Sequence, residues 1–350
     1  MSWIIALLVL SALIFFHELG HYAMARYMGV FVEVFSIGFG KKLFSFKMFG
    51  TDWRIAAIPL GGYVKMKGQE DLDPSARSSD DDSYNSKTPL QRIAILLAGP
   101  AANFILAFML YFAIALGSPP AITPIIGEVV ADSPAAKAGL KSGDRILSID
   151  TITIETWKEM AELISSTQKP IFLQIERDGY IEQISLTPTL KETTNIFKEK
   201  IQRPMIGISS AGKIHTQNLS LSESVVYASE QTYEASKLIF LSVQKLLSGA
   251  VPASELGGVV SIVKITSDAS SQGWMAILFF AALISVNLGV LNLLPIPALD
   301  GGHIMFNIYE LITKKAPSEA VFVKLTIAGW VMLLALMSLG LYNDINRLIQ

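Results

Sequence analysis

His17 and His21 stand four residues apart, and Glu18 directly follows the first of them. On a helix this spacing puts both imidazoles on one face, where they can share a metal ion, with a carboxylate alongside. The His-Glu-x-x-His pattern therefore fits metal-assisted hydrolysis, with two nitrogen ligands and a general base. A catalytic zinc commonly takes three protein ligands and keeps a fourth position for water, so a third ligand is required. The chain has no cysteine, which leaves only His or a carboxylate for that place. Asp300 and His303 are the candidates; His215 falls in a different loop. Asp300 is favoured because it follows Asn292-Leu-Leu-Pro-Ile-Pro-Ala-Leu and precedes Gly301-Gly302. Pro295 and Pro297 break a helix there, freeing the chain to aim a carboxylate.

The elements that must hold these residues are apolar. Of 350 residues, 51% are hydrophobic and 17% charged, where a soluble domain carries about 25% charged residues. The excess sits in four uncharged runs, 3–16, 93–116, 274–299 and 325–343, at or near the length of about 20 residues that spans a bilayer core. The first run passes straight into His17, Glu18 and His21, and ionisable groups inside a span are costly enough to mark function. No basic stretch or small-residue cleavage site precedes them, so a signal peptide is not expected. A net charge of −2 offers no field for nucleic acid, and no such partner is expected. Arg26, Lys41, Lys42, Lys87 and Arg92 border the first loop, and Lys314, Lys315 and Lys324 fill the third. These two loops should face the cytoplasm, with both termini and the long second loop outside; Arg347 slightly opposes this.

The pattern predicts a polytopic α-helical membrane protein of four transmembrane helices, with a membrane-associated β-hairpin region and one extracytoplasmic PDZ-like α+β domain. The expected segments are a first span over 1–28, the β region over 29–68 and a flexible acidic loop over 69–88. That loop carries Glu70, Asp71, Asp73, Asp80, Asp81 and Asp82. A second span over 89–117 precedes the outer module, 118–212, and an amphipathic helical segment, 213–272. A third span over 273–303, a cytoplasmic loop over 304–320 and a fourth span over 321–345 complete the chain. Within the module, Ser133-Pro-Ala-Ala-Lys-Ala-Gly-Leu-Lys-Ser-Gly-Asp-Arg-Ile resembles the part of PDZ domains where a short helix ends at Gly-Leu and a Gly-Asp turn opens a strand. Such domains bind peptide termini by adding a strand to a sheet edge, so a peptide C-terminus is the candidate ligand; a packing spacer is the plainer alternative.

Three signatures on three spans then resemble one family. His17-Glu-Leu-Gly-His, Gly99-Pro-Ala-Ala-Asn103 and Asn292-Leu-Leu-Pro-Ile-Pro-Ala-Leu-Asp300-Gly-Gly-His look like the site-2 protease family of intramembrane zinc metalloproteases. With Gly61-Gly-Tyr-Val-Lys-Met in the first loop, the chain is most similar to the branch of the regulator of sigma-E proteases, although it carries a single PDZ-like module where some members carry two. The resemblance implies Zn2+ held by His17, His21 and Asp300, and Glu18 as the general base. It implies that Asn292 and Asn103 hold an unwound substrate backbone, in a site shaped by Pro295 and Pro297, while the strand of Gly61, Gly62 and Tyr63 pairs with that backbone. It also implies a multi-pass protein of the bacterial inner membrane, with its site near the cytoplasmic side of the lipid bilayer. Its expected substrates are single-pass transmembrane proteins, such as anti-sigma factors or remnant signal peptides, in regulated intramembrane proteolysis. A non-catalytic membrane scaffold presenting the PDZ-like module and a metal transporter are the competing readings. Neither needs Glu18 beside two zinc-spaced histidines.

Overall fold

The computed structural model describes residues 2–69, 78 and 80–349 of the chain. The chain divides into two compact units, one made of residues 1–115 and 222–350 and the other of residues 116–221.

The first unit is helical. Four of its helices are long and apolar enough to cross a membrane: α1 (Ser2–Tyr27), α2 (Pro89–Leu116), α7 (Trp274–Asn292) and α9 (Glu319–Ile349). Two further helices, α5 (Leu221–Leu247) and α6 (Val259–Ser271), precede α7. Small residues bring α5 close to its neighbours: Ala228 and Ala235 are buried with Ala107 and Tyr111 of α2 and Ala282 and Val286 of α7. The helix of the third apolar run ends at Asn292, short of the expected span to 303. A tight turn follows, in which the Ile296 N–H donates to the Leu294 carbonyl and the Leu299 N–H to the Ile296 carbonyl. Helix α8 (Asp300–Thr313) then begins. Residues 304–313 are therefore helical where the sequence suggested a loop; Gly301 and Gly302 make this possible. A Cβ at Gly301 would lie 2.3 Å from the Leu294 oxygen, and one at Gly302 would lie 2.2 Å from the Ile296 oxygen, so only bare backbone folds back this closely on the turn.

Between α1 and α2 run two long curled strands, β1 (Val32–Met48) and β2 (Thr51–Met66). The start of β1 pairs on both sides: Ser36 faces Tyr63 across one edge and Arg54 across the other, while Phe46 faces Trp53 further out. Two strands thus make four rows, with residues 62–66 forming the outer one. Residues 80–88 depart from the expected mobile loop. Lys67 binds Asp80 at 2.8 Å and Asp82 at 2.6 Å, the Tyr84 N–H donates to the Lys67 carbonyl, and Tyr84 is buried. The paired carboxylates hold the Lys67 ammonium up at a pKa of about 12. Glu70, Asp71 and Asp73 lie outside the described residues.

The second unit opens with β3 (Pro120–Ile122), β4 (Ile126–Val129) and α3 (Pro134–Lys137), followed by β5 (Arg145–Ile149), β6 (Ile152–Thr153) and α4 (Trp157–Ser165). It closes with β7 (Ile171–Arg177), β8 (Tyr180–Leu186), β9 (Thr189–Thr194), β10 (Lys200–Met205), β11 (Ile208–Ser210) and β12 (Ile214–Thr216). An antiparallel sheet in the order β6-β5-β7-β8 carries the core. Leu173 and Ile175 come from alternate positions of β7, Ile146 and Ile149 from either side of an irregularity in β5, and Met160 and Ile164 from one face of α4. Thr156 and Glu159 form a reciprocal capping box at the start of α4. Arg177 donates from Nε and Nη2 to the buried Asp144 at 2.8 and 2.7 Å, tying the Gly143-Asp144 turn to β7.

Candidate metal centre

Helix α1 presents His17, Glu18 and His21 one turn apart. Helix α8 presents Asp300 in its first turn, where the helix dipole favours a negative charge. The fold brings the two together. The Nε2 atoms of His17 and His21 are 3.2 Å apart, and Asp300 Oδ2 lies 3.3 Å from each. All three side chains are largely buried, with 12, 8 and 16% of their surfaces exposed.

This triangle fits a zinc ion. Ligands about 2.0–2.1 Å from zinc at tetrahedral corners stand about 3.3–3.4 Å from one another, which is the spacing of the three atoms. Asp300 Oδ2 is buried and meets only the two histidine Nε2 atoms, a costly place for a carboxylate oxygen unless a cation or a protonated ring meets it. Among the described residues no other group of three His, Asp or Glu side chains converges in this way. His303 is not part of it: its ring packs against Phe306 and Phe322.

Helix α2 lines the back of the site with one stripe at four-residue spacing. The Ile95 carbonyl accepts from His21 Nδ1 at 2.9 Å, which leaves the His21 Nε2 lone pair facing the triangle. One turn on, Gly99 makes room for the ring itself: a Cβ there would lie 2.2 Å from His21 Nε2. Another turn on, Asn103 is fully buried with its amide 3.1 Å from His17 Nδ1. Pro100 sits inside the helix and removes the N–H that would bond the Leu96 carbonyl, loosening the turn next to Ile95. The Gly-Pro-Ala-Ala-Asn sequence marks this stripe. The contribution of the Ile95 carbonyl was not legible, because a backbone group leaves no residue-type signal.

The residues assigned to substrate part into two groups. Gly62 lies against Glu18: a Cβ at that position would be 3.2 Å from Glu18 Cγ. Gly61 and Tyr63 flank it on β2, and the Tyr63 ring stacks on Phe39. Residues 62–66 pair with β1 on one side, and among the described residues no further strand pairs with the other. Asn292 ends α7, half-buried, and Pro295 and Pro297 shape the turn that leads to Asp300. Asn103, assigned with them, is fully buried with its amide on His17 Nδ1.

Helices of spanning length that carry a His-Glu-x-x-His face and a carboxylate from a distant turn define the class of intramembrane metalloproteases. The sequence agrees: it matches the profile of peptidase family M50 over residues 5–336, and the chain belongs to that family. A Campylobacter jejuni protein described as a "putative zinc metalloprotease" is 44% identical over 348 residues, covering 99% of this chain and 94% of its own. The metalloprotease MmpA of Caulobacter vibrioides is 36% identical over 377 residues, covering 97% and 94%. Among solved structures, the PDZ domains of the SdrC-like proteins of Listeria monocytogenes and Listeria innocua are similar to about a quarter of the chain. The first is 24% identical over 25% of this chain and 85% of that chain, with a TM-score of 0.21. The second is 23% identical over 27% and 99%, with a TM-score of 0.22.

Proposed function

We propose that the chain is a zinc endopeptidase that cuts transmembrane segments of single-pass membrane proteins, of the kind represented by anti-sigma factors and remnant signal peptides, in regulated intramembrane proteolysis. The observation that carries this reading is the triangle of His17, His21 and Asp300 atoms at zinc-ligand spacing, with Glu18 beside it on a helix of spanning length. Zinc held by His17, His21 and Asp300 would polarise the scissile carbonyl as a Lewis acid and lower the pKa of water to about 7. Glu18 takes the proton of the attacking water and delivers it to the leaving amide nitrogen as the peptide bond breaks.

A transmembrane helix has its amides internally bonded, so hydrolysis requires unwinding, and the freed N–H and C=O groups need new partners. The open edge of residues 62–66, which passes Glu18 at Gly62, suits that task by strand addition. In this reading Asn292 holds the unwound backbone, Pro295 and Pro297 fix the turn, and Gly61, Gly62 and Tyr63 shape the edge. In this reading, which the basic loops support, the site lies near the cytoplasmic side of a bacterial inner membrane and the second unit lies outside, where a PDZ-like module admits substrates whose outer domain has been trimmed.

The test is purification in detergent, metal analysis and incubation with a single-pass substrate. Wild type is expected to hold one zinc and cleave. Glu18→Gln is expected to hold zinc and lose cleavage by at least about 100-fold, in the range of a positioned general base. Equal cleavage by the two proteins would overturn the mechanism; zinc-free, inactive wild type would instead favour the scaffold reading.

A further inference from the structure

We propose that Asn103 is the positioning residue that sets the tautomer of His17, and that in the metal-loaded protein its amide oxygen, not its amide nitrogen, faces His17 Nδ1. This rests on His17 being a ligand through Nε2.

A neutral imidazole has one N–H and one lone pair, so the partner of Nδ1 decides what Nε2 can do. For His21 the partner is a carbonyl, which can only accept. Its Nδ1 carries the proton and its Nε2 lone pair is available. For His17 the partner is a side-chain amide, which presents either a donor or an acceptor. With Asn103 Nδ2 towards the ring, at 3.1 Å, His17 Nδ1 must accept, and the proton moves to Nε2. That Nε2–H then points at Asp300 and His21, and no lone pair remains for a metal. With the amide turned half-way about its last torsion, Oδ1 accepts from Nδ1–H, and three lone pairs converge on one point.

The surroundings permit the turn. Asn103 Oδ1 is buried and has no hydrogen-bond partner, so turning the amide breaks no bond of the oxygen. The main chain is held independently, because Ser285 Oγ of α7 donates to the Asn103 carbonyl at 2.8 Å. The amide is therefore a two-position element behind a fixed backbone, and metal loading selects the position in which it accepts. A ligand histidine that donates its second N–H to an acceptor is the usual outer-shell arrangement, and loss of such a partner costs 10–100-fold in metal affinity.

The experiment compares Asn103→Asp with Asn103→Leu in the full chain, with zinc affinity measured by chelator competition and His17→Ala and Asp300→Ala as controls. Asp can only accept and Leu fills similar space, so the proposal predicts wild-type affinity within about threefold for Asp and a loss of about 10–100-fold for Leu. Equal affinity for wild type and Leu would overturn it, as would a loss for Asp as large as that for Leu. The chain has four histidines, so nitrogen-15 histidine spectra of zinc-loaded wild type give a readout that needs no variant. His17 is expected with a protonated Nδ1 and a metal-bound Nε2; the reverse would overturn the proposal. Zinc binding that survives His17→Ala and Asp300→Ala unchanged would refute the ligand reading itself, a result distinct from failure of the Asn103 variants.

Discussion

The two units reach order by opposite means. The second is held by a filled apolar core: Ile126, Ile146, Leu173 and Ile175 are completely buried around one sheet. Around the metal centre apolar clusters pack the helices, but the ligands themselves are positioned by absences and by polar partners: a missing side chain at Gly99, bare backbone at Gly301 and Gly302, a carbonyl at Ile95, an amide at Asn103. A core of the first kind tolerates loss of a methyl group by partial relaxation. A site of the second kind has no such reserve, since each group has one task and one distance. The cost of a substitution should therefore track volume removed in the second unit and volume added in the first.

The sharpest way to break the contrast is the smallest change. Gly99→Ala adds one methyl at 2.2 Å from His21 Nε2, and the ring must leave its place. We expect zinc content to collapse and proteolysis to fall by about 100-fold or more, the scale of a misplacement near 1 Å, while far-UV circular dichroism stays unchanged. A normal zinc content in that variant would refute the argument. Next in size, Leu173→Ala removes a fully buried side chain from the sheet of the second unit and should cost about 2–5 kcal/mol. The loss is measurable by denaturant unfolding, with zinc stoichiometry unaltered.

These two experiments also separate what the sequence revealed from what it hid. His17, Glu18, His21 and Asp300 were legible because residue type and spacing carry their chemistry directly, and the four spans because length and apolarity do. The double pairing of β1 was not, because the register of a curled strand depends on long-range contacts. Nor was α8 beyond Asp300, where the close packing of Gly301 and Gly302 is visible only once the turn is folded. The acidic run suggested a solvated loop over 80–88, since nothing local announced that Lys67 would gather Asp80 and Asp82.

Two milder tests refine the contrast at polar positions. Thr156→Ala removes one half of the capping box of α4 and should cost about 1 kcal/mol, readable as faster amide exchange in its first turn. The smallest effect concerns Lys67. Its pKa is raised to about 12, so its contribution is fully present below about 10.5 and is lost as pH rises through 12. Asp80 is lowered by the same contact, so its contribution is present above about 4 and lost as pH falls further. The Tyr84 amide, corrected for intrinsic exchange, should be best protected between those limits and should lose protection in high salt. Constant protection across the range would mean that the ion pairs do not hold residues 80–88.

One contact at the far end of α9 bears on the order in which the chain can be finished. Asp344 accepts from the N–H groups of Gly258 and Ser261 and from the Ser261 hydroxyl, and so caps α6. Asn343 beside it donates to the carbonyls of Ala253 and Leu256 at 2.8 and 3.0 Å. Helix α6 in turn packs against α1, which carries the histidines. The cap is made 86 residues after Gly258, a delay of about 4–17 s at ribosomal speeds of roughly 5–20 residues per second. Until then the leading amides of α6 lack this carboxylate. The support behind the histidines thus draws on both ends of the chain, and its last contact can form only once α9 has been synthesised.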